Sequence, residues 1–174
     1  MLYKDIVISM YTKLLGKALK KQLIDAHILQ NQIGYDDSDG EIILLSETTV
    51  GQILKGNQNM SYNAILVFQS TLNYKTPKEL FLQDDSFKIQ LLTQLTTLIL
   101  TDSTFDNTLL RQTLNQKIDD FSEKNIQNFI QSHNKIFLTS LSNFFPDFLE
   151  ETSFEVAEKI TDWLSEFACL ISQL

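Results

Sequence analysis

The spacing of apolar residues, glycine and proline over residues 46–81, SETTVGQILKGNQNMSYNAILVFQSTLNYKTPKELF, constrains this chain more than any other stretch. Thr48, Thr49, Val50, Ile53 and Leu54 fill one short helix that stops at Gly56, where a residue without a side chain takes the left-handed conformation that ends a helix. Ser61 caps a second helix, whose Ile65, Leu66, Phe68 and Leu72 share one face. Thr76, Pro77 and Glu79 open a third short helix, with proline at its first position and Leu80 and Phe81 turned inward.

Upstream, residues 3–32 read as helix, with a broken apolar stripe of Ile6, Met10, Leu14, Leu15, Ala18, Leu23, Ile24, His27 and Ile28. Lys13, Lys17 and Lys20 or Lys21 share another face, which either lies along a phosphate strand or is simply solvated. Residues 34–41 form a loop in which Asp36, Asp37, Asp39 and Glu41 bracket Gly40. They lack the length and the terminal ligand of a calcium-binding loop, so a solvated turn is expected. Residues 42–45, IILL, are a strand or the buried start of a helix, and periodicity does not separate the two.

The order of Ser46, Thr49, Val50, Ile53, Gly56, the Asn-rich turn, Met60-Ser61, Ile65-Leu66, Leu72-Asn73-Tyr74 and Thr76-Pro77-Lys78-Glu79-Leu80-Phe81 resembles the second half of the Cro/C1-type (XRE) helix-turn-helix domain of phage and bacterial repressors. The first half departs from that pattern. The stretch NQIGYDDSDGEIILL is a poor helix, so the first helix of the motif is either displaced toward residues 20–32 or degenerate. The resemblance implies that Ser46 caps a DNA-reading helix and that Glu47, Thr48 and Gln52 project toward base edges. It implies further that Lys55, Asn57, Gln58 and Asn59 approach phosphates. Gln52 bonds an adenine edge, Thr48 a base or a thymine methyl, and Glu47 accepts from cytosine N4. With Glu47 repelling phosphate and amides standing where such domains often carry Lys or Arg, one module is expected to bind weakly, so that dimerisation is needed.

Beyond residue 83 the pattern is helical throughout. Asp84 and Ser86 mark a start, and Phe87, Leu91, Leu92, Leu95, Leu98 and Ile99 line a buried face. A helix from about residue 107 to 120 and another from 122 to 144 follow, the latter with Ile126, Phe129, Ile130, Ile136, Phe137 and Leu141 inward. The last helix begins near Ser153. Its Val156, Ile160, Trp163, Phe167 and Leu170 have the spacing of a packing seam, beside a second stripe of Ala157, Leu164, Ala168 and Ile171. These are the candidate dimerisation residues. Cys169, among Phe167, Ala168, Leu170 and Ile171, is expected to be a buried, inert thiol.

The whole chain carries a formal net charge of −8. A cut at Gln83 leaves eight lysines against eight acids before it and six bases against fourteen acids after it. An acidic half cannot follow a phosphate backbone and suits dimerisation or a protein partner. No phosphate-cradling loop, nucleophile elbow or zincin helix occurs. His27 and His133 have no histidine or cysteine at ligand spacing, so no enzyme activity, metal or cofactor is expected. There is no run of about eighteen apolar residues and no signal peptide, so a cytoplasmic protein without membrane contact is expected. Usage rich in Asn, Gln, Ser, Thr, Ile, Leu and Lys points to an AT-rich Gram-positive host or its phages and mobile elements.

The resulting expectation is an all-α protein with a helix-turn-helix DNA-binding domain over residues 1–83 and an acidic helical dimerisation or partner-binding domain over 84–174. Its function would be sequence-specific transcriptional regulation on double-stranded DNA as a homodimer. The rival is a protein-binding inhibitor, such as an anti-CRISPR protein, whose acidic half contacts a basic nucleic-acid-binding partner.

Overall fold

The computed structural model describes residues 2–34, 44–147 and 151–174. The acidic turn at Asp36, Asp37, Asp39 and Glu41, with Gly40, lies outside the described residues, as do Ile42 and Ile43 of the apolar run. Among the described residues the chain is all-α, with nine α-helices and no strand. They are α1 (Leu2–Asp25), α2 (Glu47–Leu54), α3 (Tyr62–Thr71), α4 (Pro77–Leu82), α5 (Asp85–Thr101), α6 (Leu109–Lys117), α7 (Glu123–Ser132), α8 (Asn134–Phe144) and α9 (Ser153–Ser172). Short 3-10 turns occupy Gln30–Gln32 and Ser103–Phe105. None of these helices is long and apolar enough to cross a membrane.

Helix starts follow from side-chain oxygens that take up amides left without a partner in the first turn. Ser46 accepts from Thr49 N at 3.1 Å, Ser61 from Ala64 N at 3.3 Å and Asp84 from Phe87 N at 2.8 Å. The ends of α1, α2 and α3 follow from left-handed residues. Gly56, with φ 72°, closes α2 while Asn57 N donates to Gln52 O and Gly56 N to Ile53 O. Asn73 does the same for α3.

His27 stops α1 in that way too, with φ 57° and Ile28 N donating to Leu23 O. The helix expected to run to residue 32 therefore ends at Asp25, and His27 and Ile24 are exposed. Its buried face is Val7, Ile8, Tyr11, Leu14, Leu15, Leu19 and Leu23, rotated from the expected stripe. The helix expected over residues 122–144 is two, α7 and α8, because His133 (φ −120°, ψ 18°) leaves helical geometry between them. That break lets Ile126 and Ile130 of α7 and Phe137 and Leu141 of α8 all be buried, while Ile136 turns outward.

The chain forms two compact units. One comprises Tyr11–Phe81 with Asp147–Ala157, the other Met1–Met10, Leu82–Pro146 and Glu158–Leu174. Neither is a contiguous half, and α1 and α9 contribute residues to both. Each unit carries seven basic and eleven acidic residues, a net −4. The charge contrast between the two halves of the sequence is thus absent between the two units.

In the second unit α5 packs on α6, α7 and α8. Trp163 stacks on Phe167, which meets Phe137 edge-on at 5.1 Å, and Trp163 Nε1 donates to Ser140 Oγ at 3.0 Å. In the first unit Val50, Ile53, Leu54, Ala64, Ile65 and Phe68 are buried with Leu14, Leu15 and Leu19 of α1. The buried Tyr11 hydroxyl donates to Phe81 O at 2.9 Å, tying α1 to α4, and burial pushes its ionisation well above the ordinary tyrosine range. Leu66, expected inward, is 48% exposed.

Candidate nucleic-acid interface

Two faces of α2 differ completely. Val50, Ile53 and Leu54 are buried, whereas Glu47, Thr48 and Lys55 are exposed and Gln52 is partly so. A helix of eight residues with three apolar anchors on one side leaves a wholly polar edge on the other. Ser46 is exposed at its start, its hydroxyl also donating to Thr49 Oγ1 at 2.9 Å.

Among the residues expected to approach DNA, the structure ties some together. Asn57 Nδ2 donates to Gln52 Oε1 at 3.2 Å, which steadies the Gln52 amide and leaves its Nε2 free to donate. Asn59 Oδ1 accepts from Thr12 Oγ1 at 3.0 Å. Asn59 thus holds the turn against α1 through its carbonyl oxygen, a contact that does not use its Nδ2 donor. The side chains of Thr48, Lys55 and Gln58 make no hydrogen bond or ion pair among the described residues, and Asn57 and Gln58 are exposed.

Several residues that sequence patterns did not single out build this edge. Gln30, from the 3-10 turn, lays its amide over Gly51, where an added Cβ would lie 2.8 Å from Gln30 Nε2. The same nitrogen donates to Glu47 O at 3.4 Å. Glycine inside a helix costs about 1 kcal/mol against alanine, so its presence at 51 was the one available signal of a close approach. Gly16 of α1 sits so near the end of α2 that a Cβ would come within 2.5 Å of Ile53 O. On the far side of the turn, Met60 N donates to Ser153 Oγ at 2.6 Å and Ser153 N to Met60 O at 3.3 Å. The turn after α2 is thus gripped by α1 and by the first residue of α9.

Among the described residues before α2, residues 20–34 do not form the helix of the family pattern. Residues 20–25 finish α1 and Gln30–Gln32 form a single 3-10 turn, so neither is a displaced helix leading directly into α2. Gly34, at φ 89°, receives Leu45 N on its carbonyl at 3.1 Å, next to the Ser46 cap.

The candidate dimerisation residues lie elsewhere. Val156, Ile160, Trp163 and Phe167 are fully buried within the single chain and only Leu170 is partly exposed. Cys169 is exposed rather than buried, because it stands on the outer arc of α9 while Trp163, Phe167 and Ile171 take the inner one. No three His, Cys, Asp or Glu side chains among the described residues are placed to hold a metal ion.

No protein-family model, curated protein or solved structure matches this chain.

Proposed function

We propose that the protein is a sequence-specific DNA-binding transcriptional regulator whose reading element is α2, within a helix-turn-helix unit reduced on its N-terminal side. The observation that carries this reading is the division of α2: an apolar face anchored by Val50, Ile53 and Leu54, and a polar edge of Glu47, Thr48, Gln52 and Lys55. A base-reading helix needs such an edge, because specificity comes from side-chain donors and acceptors in the major groove. Gln52 meets adenine, Thr48 a base edge or thymine methyl, Glu47 cytosine N4, and Lys55, Asn57 and Gln58 the backbone. Asn59 fixes the turn through its Oδ1 and offers its Nδ2 to the backbone as well. One eight-residue helix gives little affinity, so the reading includes a homodimer that sets two copies on neighbouring half-sites. The composition places such a regulator with phages or mobile elements of a Gram-positive host.

The rival is an inhibitor that binds a basic protein, and the net charge of −8 favours it. Its support weakens once the acid excess is shared equally by the two compact units. Selection of duplexes from a randomised pool, followed by mobility-shift titration, separates the readings. Regulation requires one enriched motif bound in preference to random DNA. A pool that stays unenriched at low salt, with the protein folded by circular dichroism, would transfer the function to the protein-binding reading.

A further inference from the structure

The lysines of α1 are distributed in a way that base reading by α2 does not explain. Among the described residues of the unit built from Tyr11–Phe81 and Asp147–Ala157, Lys21 pairs with Asp25 and Lys78 with Asp147. Lys13, Lys17, Lys20, Lys55 and Lys75 are exposed and have no ion-pair partner among the described residues. Three of the five, Lys13, Lys17 and Lys20, stand on one face of α1 at steps of four and three residues. That face begins at the end of α2. Gly56, directly after Lys55, packs so closely on α1 that a Cβ would meet Lys13 Cα at 2.5 Å, and Thr12 bonds Asn59. The contact of Gly16 with Ile53 O locks the same crossing from the other side.

We propose that α1 is a second, sequence-independent DNA contact, in which Lys13, Lys17 and Lys20 form a rail holding one phosphate strand beside the turn that follows α2. The proposal rests on the DNA-binding reading above and extends it from base edges to the backbone. Charge complementarity selects the occupant: three unpaired ammonium groups in a row attract a row of phosphates. Seven residues of helix rise about 10 Å, and successive phosphates of one strand rise about 3.4 Å along the duplex axis. Laid parallel to the duplex axis, the rail therefore covers about three phosphate steps. It also supplies the cationic contacts that the amide-rich turn at Asn57, Gln58 and Asn59 lacks.

The test is the salt dependence of binding by the full chain to a labelled duplex carrying its selected motif and to random duplex. Lys17→Gln with Lys20→Gln is the variant of choice, since Lys13 also packs on Gly56. Each phosphate contact contributes about 0.9 to the slope of log affinity against log salt. The double variant should lower that slope by about 1.8 and weaken both duplexes by the same factor. Lys17→Arg with Lys20→Arg should restore it. Lys117→Gln with Lys124→Gln removes the same charge from α6 and α7 and should leave the slope unchanged. A wild-type slope in the α1 variant, or an equal loss in the α6/α7 control, would overturn the rail while leaving base reading by α2 intact. Absence of any binding by the wild-type protein at low salt would remove both.

Discussion

Helices α2 and α9 represent opposite uses of the same apolar periodicity. In α9, twenty residues long, Val156, Ile160, Trp163 and Phe167 are fully buried in the chain's own core, and of that stripe only Leu170 stays partly exposed. In α2, eight residues long, three buried side chains suffice to seat the helix and its polar edge stays free. Periodicity reports that a face is covered without reporting by what. A seam of Val, Ile, Trp and Phe reads the same whether the covering helix comes from a second copy or from the same chain.

The largest expected effect tests the α9 side of that contrast. Trp163→Ala removes a fully buried ring that stacks on Phe167 and donates to Ser140, and should cost about 3–5 kcal/mol in guanidinium unfolding. A variant that unfolded like the wild type but had lost a wild-type dimer by light scattering would reverse the contrast and make α9 a seam between subunits.

The next two effects concern how α2 is held. Gly16→Ala pushes a methyl into the carbonyl of Ile53, and relief requires the crossing of α1 over the end of α2 to widen. A loss of about 1–3 kcal/mol is expected, as for other overpacked sites. An alanine variant as stable as the wild type would show that this crossing yields freely, and with it the idea that α1 fixes the turn would fail. Ser153→Ala leaves the buried Met60 amide without its acceptor, for a cost of about 1–3 kcal/mol by thermal or chemical unfolding. Ser153→Thr keeps an oxygen there and should retain part of that stability if it adopts the same rotamer.

How much of this was readable beforehand follows from the range of the interactions. Ser46, Ser61, Asp84, Gly56 and Pro77 mark helix ends through bonds or dihedrals within five residues, and each stands in the expected role. The all-α class follows from those marks together with the apolar spacing. The stop at His27 and the break at His133 leave no local mark in the sequence, because neither is a glycine or proline and their side chains carry no strong breaking signal. The buttresses of the candidate site leave none for a different reason. Ser153 and Met60 are 93 residues apart, and Gln30 and Glu47 are 17 apart, so no local pattern joins them. The charge split failed similarly, since a cut along the sequence cannot see residues Asp147–Ala157 joining the first unit.

The smallest expected effect on folding is the most informative about function. Glu47 is exposed and Gln52 partly so, and both lie on the polar edge of α2, so Glu47→Ala and Gln52→Ala should each change stability by no more than about 0.5 kcal/mol. Their effects on DNA binding should diverge. Gln52→Ala removes a bidentate reader and should cost about 1–3 kcal/mol at the selected motif with little change on random duplex. Glu47→Ala has two possible signatures. If Glu47 accepts from cytosine N4, specificity at one base pair falls; if it acts only as a negative charge beside phosphates, affinity for every duplex rises. Measuring both variants against the motif and against random DNA at one salt concentration assigns the role. Equal behaviour of both variants and the wild type on every duplex would mean that the polar edge of α2 is merely solvated, and the contrast with α9 would then be one of burial alone.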